Sequence, residues 1–240
     1  MKDNRTYYDD FSDWYENGRH EGYHAYLDSA QLELLDPHLQ TATVCEVGCG
    51  TGLLLKEVAP RSKACVGVDI SRKMLGPAQA RSLSVVQGLA TDSPFPEAAF
   101  DLVYSFKVLP HVQEIEHALS EVGRILKPGG RAFLEFYNPN SIRHLIKRFK
   151  KPHAVSDETK DTEVYTRYDD LEAARRYLPS SLELVQAHGI RVVTPAALFH
   201  RLPVVKTMLK WTESLAQRSF LGARFGGFLV LEVRRKPASI

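Results

Sequence analysis

From Thr41 onward the chain alternates short β-branched apolar runs with segments whose apolar residues recur at helical spacing, the pattern of an α/β domain built from βαβ units. The runs Val44 to Val47, Ala64 to Val68, Leu83 to Gln87, Phe100 to Ser105 and Arg131 to Tyr137 predict five strands, and Leu182 to Val193 and Gly226 to Val233 predict two more. Between them, Leu53 to Ala59, Ser71 to Ala80, His117 to Leu126 and Asp169 to Tyr177 predict helices. Ahead of the first strand, the aromatic stretch Tyr7 to Leu35 predicts one or two helices ended by Pro37. Residues 141–151 place Ile142, Leu145, Ile146 and Phe149 opposite Arg143, Lys147, Arg148, Lys150 and Lys151, a basic amphipathic helix. Thr194 to Phe225 adds apolar material, including Phe199, Leu202 and Trp211, as one or two helices around Pro203.

The first strand breaks into Glu46-Val47-Gly48-Cys49-Gly50-Thr51-Gly52, with three glycines at alternate positions ahead of a helix. Such a turn lets backbone rather than side chain touch a ligand. Asp69 stands at the end of the second strand, about 20 residues beyond the loop, where a carboxylate can accept both hydroxyls of a ribose. A dinucleotide site spaces its glycines as G-x-G-x-x-G to bring a helix N-terminus to the pyrophosphate, and an acid at Glu46 would repel that group. Beside the ammonium of a methionine moiety the same acid is favourable.

The Glu46-x-Gly48-x-Gly50-x-Gly52 loop with Asp69 resembles motif I of the class I S-adenosylmethionine (SAM) dependent methyltransferases. Gly88-Leu89-Ala90-Thr91-Asp92-Ser93-Pro94-Phe95 resembles the family's G-D-A-x-x-L-P-F loop against the adenine, with Leu89 where an aspartate commonly receives the adenine amino group. Glu121-Val122-Gly123-Arg124-Ile125-Leu126-Lys127-Pro128-Gly129-Gly130 resembles its E-x-x-R-x-L-K-P-G-G signature, in which Pro-Gly-Gly is a structural turn. The resemblance covers Thr41 to Tyr137. It implies a Rossmann-like fold, a seven-stranded mostly parallel sheet with the last strand antiparallel, carrying an N-terminal helical cap and a late helical insert. The expected organisation is a single domain: 1–40 cap, 41–137 cofactor core, 138–225 inserts with strand six, 226–240 last strand and tail.

Composition narrows the partners. The 31 Lys and Arg nearly balance 29 Asp and Glu, so nothing in the charge points to nucleic acid. Cys45, Cys49 and Cys65 lie on or beside expected strands without metal-type spacing, and read as small core residues of a reducing compartment. With no apolar run long enough for a membrane span and no apolar signal core at the start, the expectation is a cytoplasmic protein. His20-Glu21-Gly22-Tyr23-His24 is formally H-E-x-x-H. A glycine costing about 1 kcal/mol within the helix and the want of a third ligand argue against zinc, so no metal is expected.

The resemblance implies methyl transfer from SAM to a small molecule, releasing S-adenosylhomocysteine (SAH). The implied cofactor residues are Tyr15, Arg19, Glu46, Gly48, Cys49, Gly50, Gly52, Asp69, Ile70, Met74, Leu89, Ala90 and Ser105. Tyr15 and Arg19 follow a loose Y-x-x-x-R pattern in which the arginine would grip the methionine carboxylate; a core tyrosine and a solvated arginine are the plain alternative. Ligands bind at the carboxyl ends of strands, which puts Ser105 to His111 near the transferable methyl. His111 is the first candidate base and His24 the second; for His111 the alternative is a histidine that packs the following helix. Oxygen is the expected acceptor atom, on an aromatic, polyketide-like or isoprenoid molecule, under an apolar lid from Tyr15, Tyr23, Phe199, Leu202 and Trp211. Nitrogen or carbon acceptors, including a lipid quinone, stay open, as do a SAM-binding regulator without catalysis, a homodimer, and an anionic surface or carrier docked on 141–151.

Overall fold

The computed structural model describes residues 3–12, 15–16, 22–149, 164–192, 216–217 and 219–237. Seven strands, β1 (Thr43–Val47), β2 (Ala64–Asp69), β3 (Val85–Gln87), β4 (Phe100–Ser105), β5 (Leu126–Tyr137), β6 (Leu182–Ile190) and β7 (Phe228–Arg235), form one sheet. Its order is β3-β2-β1-β4-β5-β7-β6. Strands β1 to β5 pair in parallel, and β7 runs antiparallel to both β5 and β6. The seven-stranded sheet with an antiparallel last strand is thus as expected.

The short strands are apolar because helices cover both faces of the sheet. Along β1 and β4 successive residues alternate sides. Val44, Leu102 and Tyr104 face α2 (Gly22–Leu35) with its Tyr26, Leu27 and Leu34, while Cys45, Val47 and Val103 face α5 (Ile115–Ile125) with its Leu119 and Val122. Each such fully buried side chain contributes about 1.5–3 kcal/mol. α1 (Asn4–Phe11) is capped by Asp3, whose carboxylate accepts from Thr6 N, and α4 (Arg72–Ala80) by Ser71, whose hydroxyl accepts from Met74 N. The cysteine thiols are free, and burial raises the pKa of all three, Cys65 to about 12.

Several boundaries depart from the sequence reading. α3 (Leu55–Val58) is shorter than Leu53 to Ala59: Leu53 and Leu54 stay in the turn that leaves the glycine loop, and the chain tightens into a 3-10 turn at Ala59–Arg61 around Pro60. β3 starts at Val85 rather than Leu83, whose side chain is drawn against Gly52. Pro128-Gly129-Gly130 does not separate helix from strand. It bulges within β5, whose pairing steps from Leu126 to Arg131 while β4 advances only from Phe100 to Leu102, and Gly129 takes φ +81°. α6 (Ile142–Phe149) forms, but its expected faces are partly inverted. Ile142 and Leu145 are 52% and 54% exposed, whereas Arg143 turns inward onto aromatic rings at the end of the sheet. α7 (Leu171–Arg176) and α8 (Phe220–Phe225) complete the described helices. Phe199, Leu202, Trp211 and Pro203 lie outside the described residues, as do Arg19, His20 and Glu21, and the side chain of Tyr23 is not described.

Candidate cofactor and acceptor site

The carboxyl ends of β1, β2, β4 and β5 open into a cavity of about 820 Å³ roofed by α1 and the start of α2. Its size falls within the about 300–1,000 Å³ of small-molecule sites. The glycine loop forms one wall. Gly48 N and Cys49 N donate to Val68 O at 2.7 and 3.1 Å, so the loop turns back across β2. Gly48 (φ +78°) sits where an added Cβ would come within 2.1 Å of Val108, and only glycine allows that approach. Gly50 N donates to Asp69 Oδ2 at 2.8 Å, and Ser71 N to Asp69 Oδ1 at 2.9 Å. Burial raises the Asp69 pKa, and the amides of Ser71 and Gly50 oppose the rise. The carboxylate is held rigidly with a lone pair on each oxygen still available to a ligand.

Two sets of long-range contacts shape the rim. Glu121 Oε1 accepts from Ser93 N at 2.9 Å and from its hydroxyl at 2.5 Å, while Arg124 donates to Phe95 O at 2.8 Å and to Glu121. The E-x-x-R of α5 thereby pins the loop that carries Leu89, Ala90 and Thr91 along the cavity. On the other side, Ser71 Oγ donates to Asp9 at 2.5 Å, tying α1 to the start of α4. Arg81 donates to Glu16 at 2.6 Å and to Thr51 O at 2.9 Å, which seats the adjoining Tyr15 ring 3.8 Å from where a Gly50 Cβ would stand.

At the far end, His111 closes a 3-10 turn (Leu109–His111) rather than entering α5. Its Nδ1 lies 2.8 Å from Tyr165 O, a carbonyl that can only accept, so Nδ1 carries the proton and Nε2 is left as the acceptor. Nε2 is 3.5 Å from the Tyr137 hydroxyl, the two rings meet edge to face at 5.6 Å, and Asn4 Nδ2 donates to His111 O at 2.6 Å. Below them two carboxyls are buried on the α2 face. Glu46 Oε2 accepts from the Tyr104 hydroxyl at 3.0 Å, and burial raises its pKa to about 8. Glu135 accepts from Gln31 at 2.7 Å and from Lys107 N at 3.0 Å, and burial raises it to about 7.

Of the residues singled out from sequence, Tyr15, His24, Gly48, Gly50, Asp69, Ile70, Met74, Leu89, Ala90 and His111 line this one cavity. Glu46, Cys49, Gly52 and Ser105 do not line it. Cys49 packs its sulfur on Gly67, Gly52 lies against Ala78 and Leu83, Ser105 donates to Val47 O at 3.0 Å, and Glu46 sits under the loop. Sequence reading passed over Tyr8, Asp9, Tyr137 and Thr166, and placed Arg143 on the basic face of 141–151 rather than in this cavity. Tyr137 ends a strand, and the rule that singled out Ser105 to His111 after β4 applies equally there. Among the described residues no three metal-capable side chains come together, and no helix is long and apolar enough to cross a membrane.

This strand order, with a glycine loop after β1 and an acid ending β2, defines a nucleotide-type site on a Rossmann-like sheet. Comparison with known proteins agrees. A family model described as a methyltransferase domain matches residues 45–134. An uncharacterized methyltransferase of Mycobacterium bovis is 30% identical over 190 residues, 76% of this chain and 92% of that relative. A ubiquinone biosynthesis O-methyltransferase of Chromobacterium violaceum is 27% identical over 183 residues, 70% of this chain and 78% of the relative. In fold, the chain is similar to a Thermotoga maritima SAM-dependent methyltransferase structure described as a possible histamine N-methyltransferase. The TM-score is 0.71 at 20% identity, with 96% of this chain and 99% of that one covered. The chain belongs to the class I SAM-dependent methyltransferases, and its cofactor is SAM.

Proposed function

We propose that this enzyme methylates an oxygen atom of a small organic molecule, with His111 as the base. The observation that carries the reading is the 2.8 Å contact between His111 Nδ1 and the Tyr165 carbonyl. Nδ1–H donates to the Tyr165 carbonyl, so the ring's acceptor is the Nε2 lone pair, on a side chain that lines the cavity. The likeness to ubiquinone biosynthesis O-methyltransferases supports an oxygen acceptor.

The residues fit the cofactor. Asp69, fixed by two amides, would hold the ribose hydroxyls; Ile70, Met74, Leu89 and Ala90 would flank the adenine; Gly48, Gly50 and Tyr15 would border the methionine end. Bound SAM supplies an electrophilic sulfonium methyl. The chain does the rest by alignment, which can lower a barrier by about 7–11 kcal/mol. α1 and Tyr15 roof part of the cavity, Tyr137 and Val108 border the acceptor, and Nε2 of His111 takes the hydroxyl proton as the acceptor oxygen attacks. The new bond is oxygen to methyl carbon, the bond broken is sulfur to methyl carbon, and its electron pair stays on sulfur as the thioether of SAH.

Purified protein incubated with methyl-labelled SAM and a small-molecule extract should yield a labelled product. That product should be stable to mild base if it is an ether. A product carrying the label on nitrogen or carbon would overturn the oxygen reading.

A further inference from the structure

Arg143 enters the cavity from the first turn of α6, and its guanidinium carbon lies 4.8 Å from the centroids of both Tyr137 and Phe228. These two rings, one ending β5 and one opening β7, pack edge to face at 5.6 Å. Beside them, a Cβ on Gly227 would come within 3.3 Å of Arg191 Cδ and 3.4 Å of Arg143 Cδ, so the bare glycine leaves room for both arginine stems. Contacts with aromatic faces hold a guanidinium in place without using its N–H donors.

Those donors have no carboxylate partner among the described residues. The acids that line the cavity are engaged or placed elsewhere: Asp3 caps α1, Asp69 takes the amides of Gly50 and Ser71, and Glu114 precedes α5. Glu135 senses the charge of Arg143, but its oxygens accept from Gln31 and Lys107 N. A planar cation seated on rings, its donors turned to no acid among the described residues, is suited to a bidentate anion.

The cofactor's own carboxylate is one candidate anion, and the sheet order argues against it. Gly48 and Gly50 follow β1, whereas Tyr137 and Phe228 sit on β5 and β7, two and three strands away. At about 4.8 Å per strand that is roughly 10–14 Å. Arg143 therefore stands on the acceptor side, next to the His111 and Tyr137 pair. We infer that the methyl acceptor is an organic acid whose carboxylate pairs with Arg143 while its accepting oxygen faces His111. The inference rests on the acceptor site proposed above and adds the charge of the molecule that fills it.

The test uses the full-length protein saturated with SAH and titrates benzoate against benzamide, which share shape and differ in charge. The wild type should bind benzoate at least about tenfold more tightly than benzamide. Arg143→Gln should erase that preference while SAH affinity stays within about threefold. Arg143→Lys, which keeps the charge but not the fork, should fall between them and serves if the glutamine variant fails to fold. Equal binding of the two probes, no binding of benzoate, or a loss of SAH affinity in Arg143→Gln would each overturn the inference. In the labelled-extract assay, acceptor activity should be retained by an anion exchanger. Activity confined to the unretained fraction would sink the organic acid but leave methyl transfer standing, and failure to bind SAH at all would sink the site itself.

Discussion

The amide of Gly50 donates to Asp69 Oδ2 at 2.8 Å, so the loop that ends β1 and the acid that ends β2 behave as one rigid piece. Because Ser71 N holds the other oxygen, the carboxylate cannot swing to follow a ligand and must meet it preformed. Asp69→Ala should weaken SAM binding by about 1.5–3 kcal/mol, roughly 10- to 150-fold, by removing charge-assisted hydrogen bonds. Isothermal titration decides this, and an unchanged dissociation constant would remove Asp69 from the site.

One hydroxyl joins the roof to α4. Ser71 Oγ donates to Asp9 at 2.5 Å while accepting from Met74 N at 3.1 Å, so one side chain both caps α4 and ties α1 down. Asp9→Ala keeps the cap and cuts the tie. Amide exchange across residues 4–11 should rise, and SAH should dissociate several-fold faster. The exposed pair Arg61–Asp36 is a control whose loss should change neither.

The proposed base predicts a kinetic split. His111→Ala should lower kcat by about 10²- to 10⁴-fold with SAH affinity nearly unchanged. Tyr137→Phe should cost less, since it removes the neighbour of Nε2 and leaves the imidazole in place. A drop in SAH affinity matching the drop in kcat would mean that His111 holds the roof through Asn4 and takes no proton.

Loop 88–95 should respond to a residue outside the cavity. Glu121→Ala strands the amide and hydroxyl of buried Ser93 and should cost about 1–3 kcal/mol of stability. The KM for SAM should rise more than kcat falls, because the adenine wall loosens while the methyl end is untouched. A selective fall in kcat would contradict that division.

Two buried acids set a pH dependence. Burial raises Glu135 to about 7 and Glu46 to about 8, so the folded chain keeps protons that the unfolded chain releases near its ordinary carboxylate pKa. Their contribution is present below about pH 4.5 and is lost as pH rises through about 7 and 8. Glu232 acts in the opposite sense: its hydrogen bond from His188 lowers its pKa, so its contribution is lost as pH falls. Tm should therefore decline between about pH 5 and 8, and Glu46→Gln should flatten part of that decline. A Tm that climbs over this range, or a slope unaltered in the variant, would contradict the account.

Local signals were enough for the sheet strands, the loop from Gly48 to Gly52 and Asp69. A β-branched run, alternate glycines and an acid at a strand end each act through their own backbone, so their meaning is carried within a few neighbours. His111 was legible for the same reason, by its place after β4. Local pattern misled at 141–151, where helical spacing marked Ile142 and Leu145 as the inner face and the structure turns Arg143 inward instead. What holds Arg143 there is the pair Tyr137 and Phe228, neighbours only because β7 inserts antiparallel beside β5. The same holds for Asp9 with Ser71 and for His111 with Tyr165, partners 62 and 54 residues apart. Spacing along the chain constrains contacts within a helix, strand or turn. Contacts between elements follow from strand order and from which helix covers which face, and only the folded chain decides those.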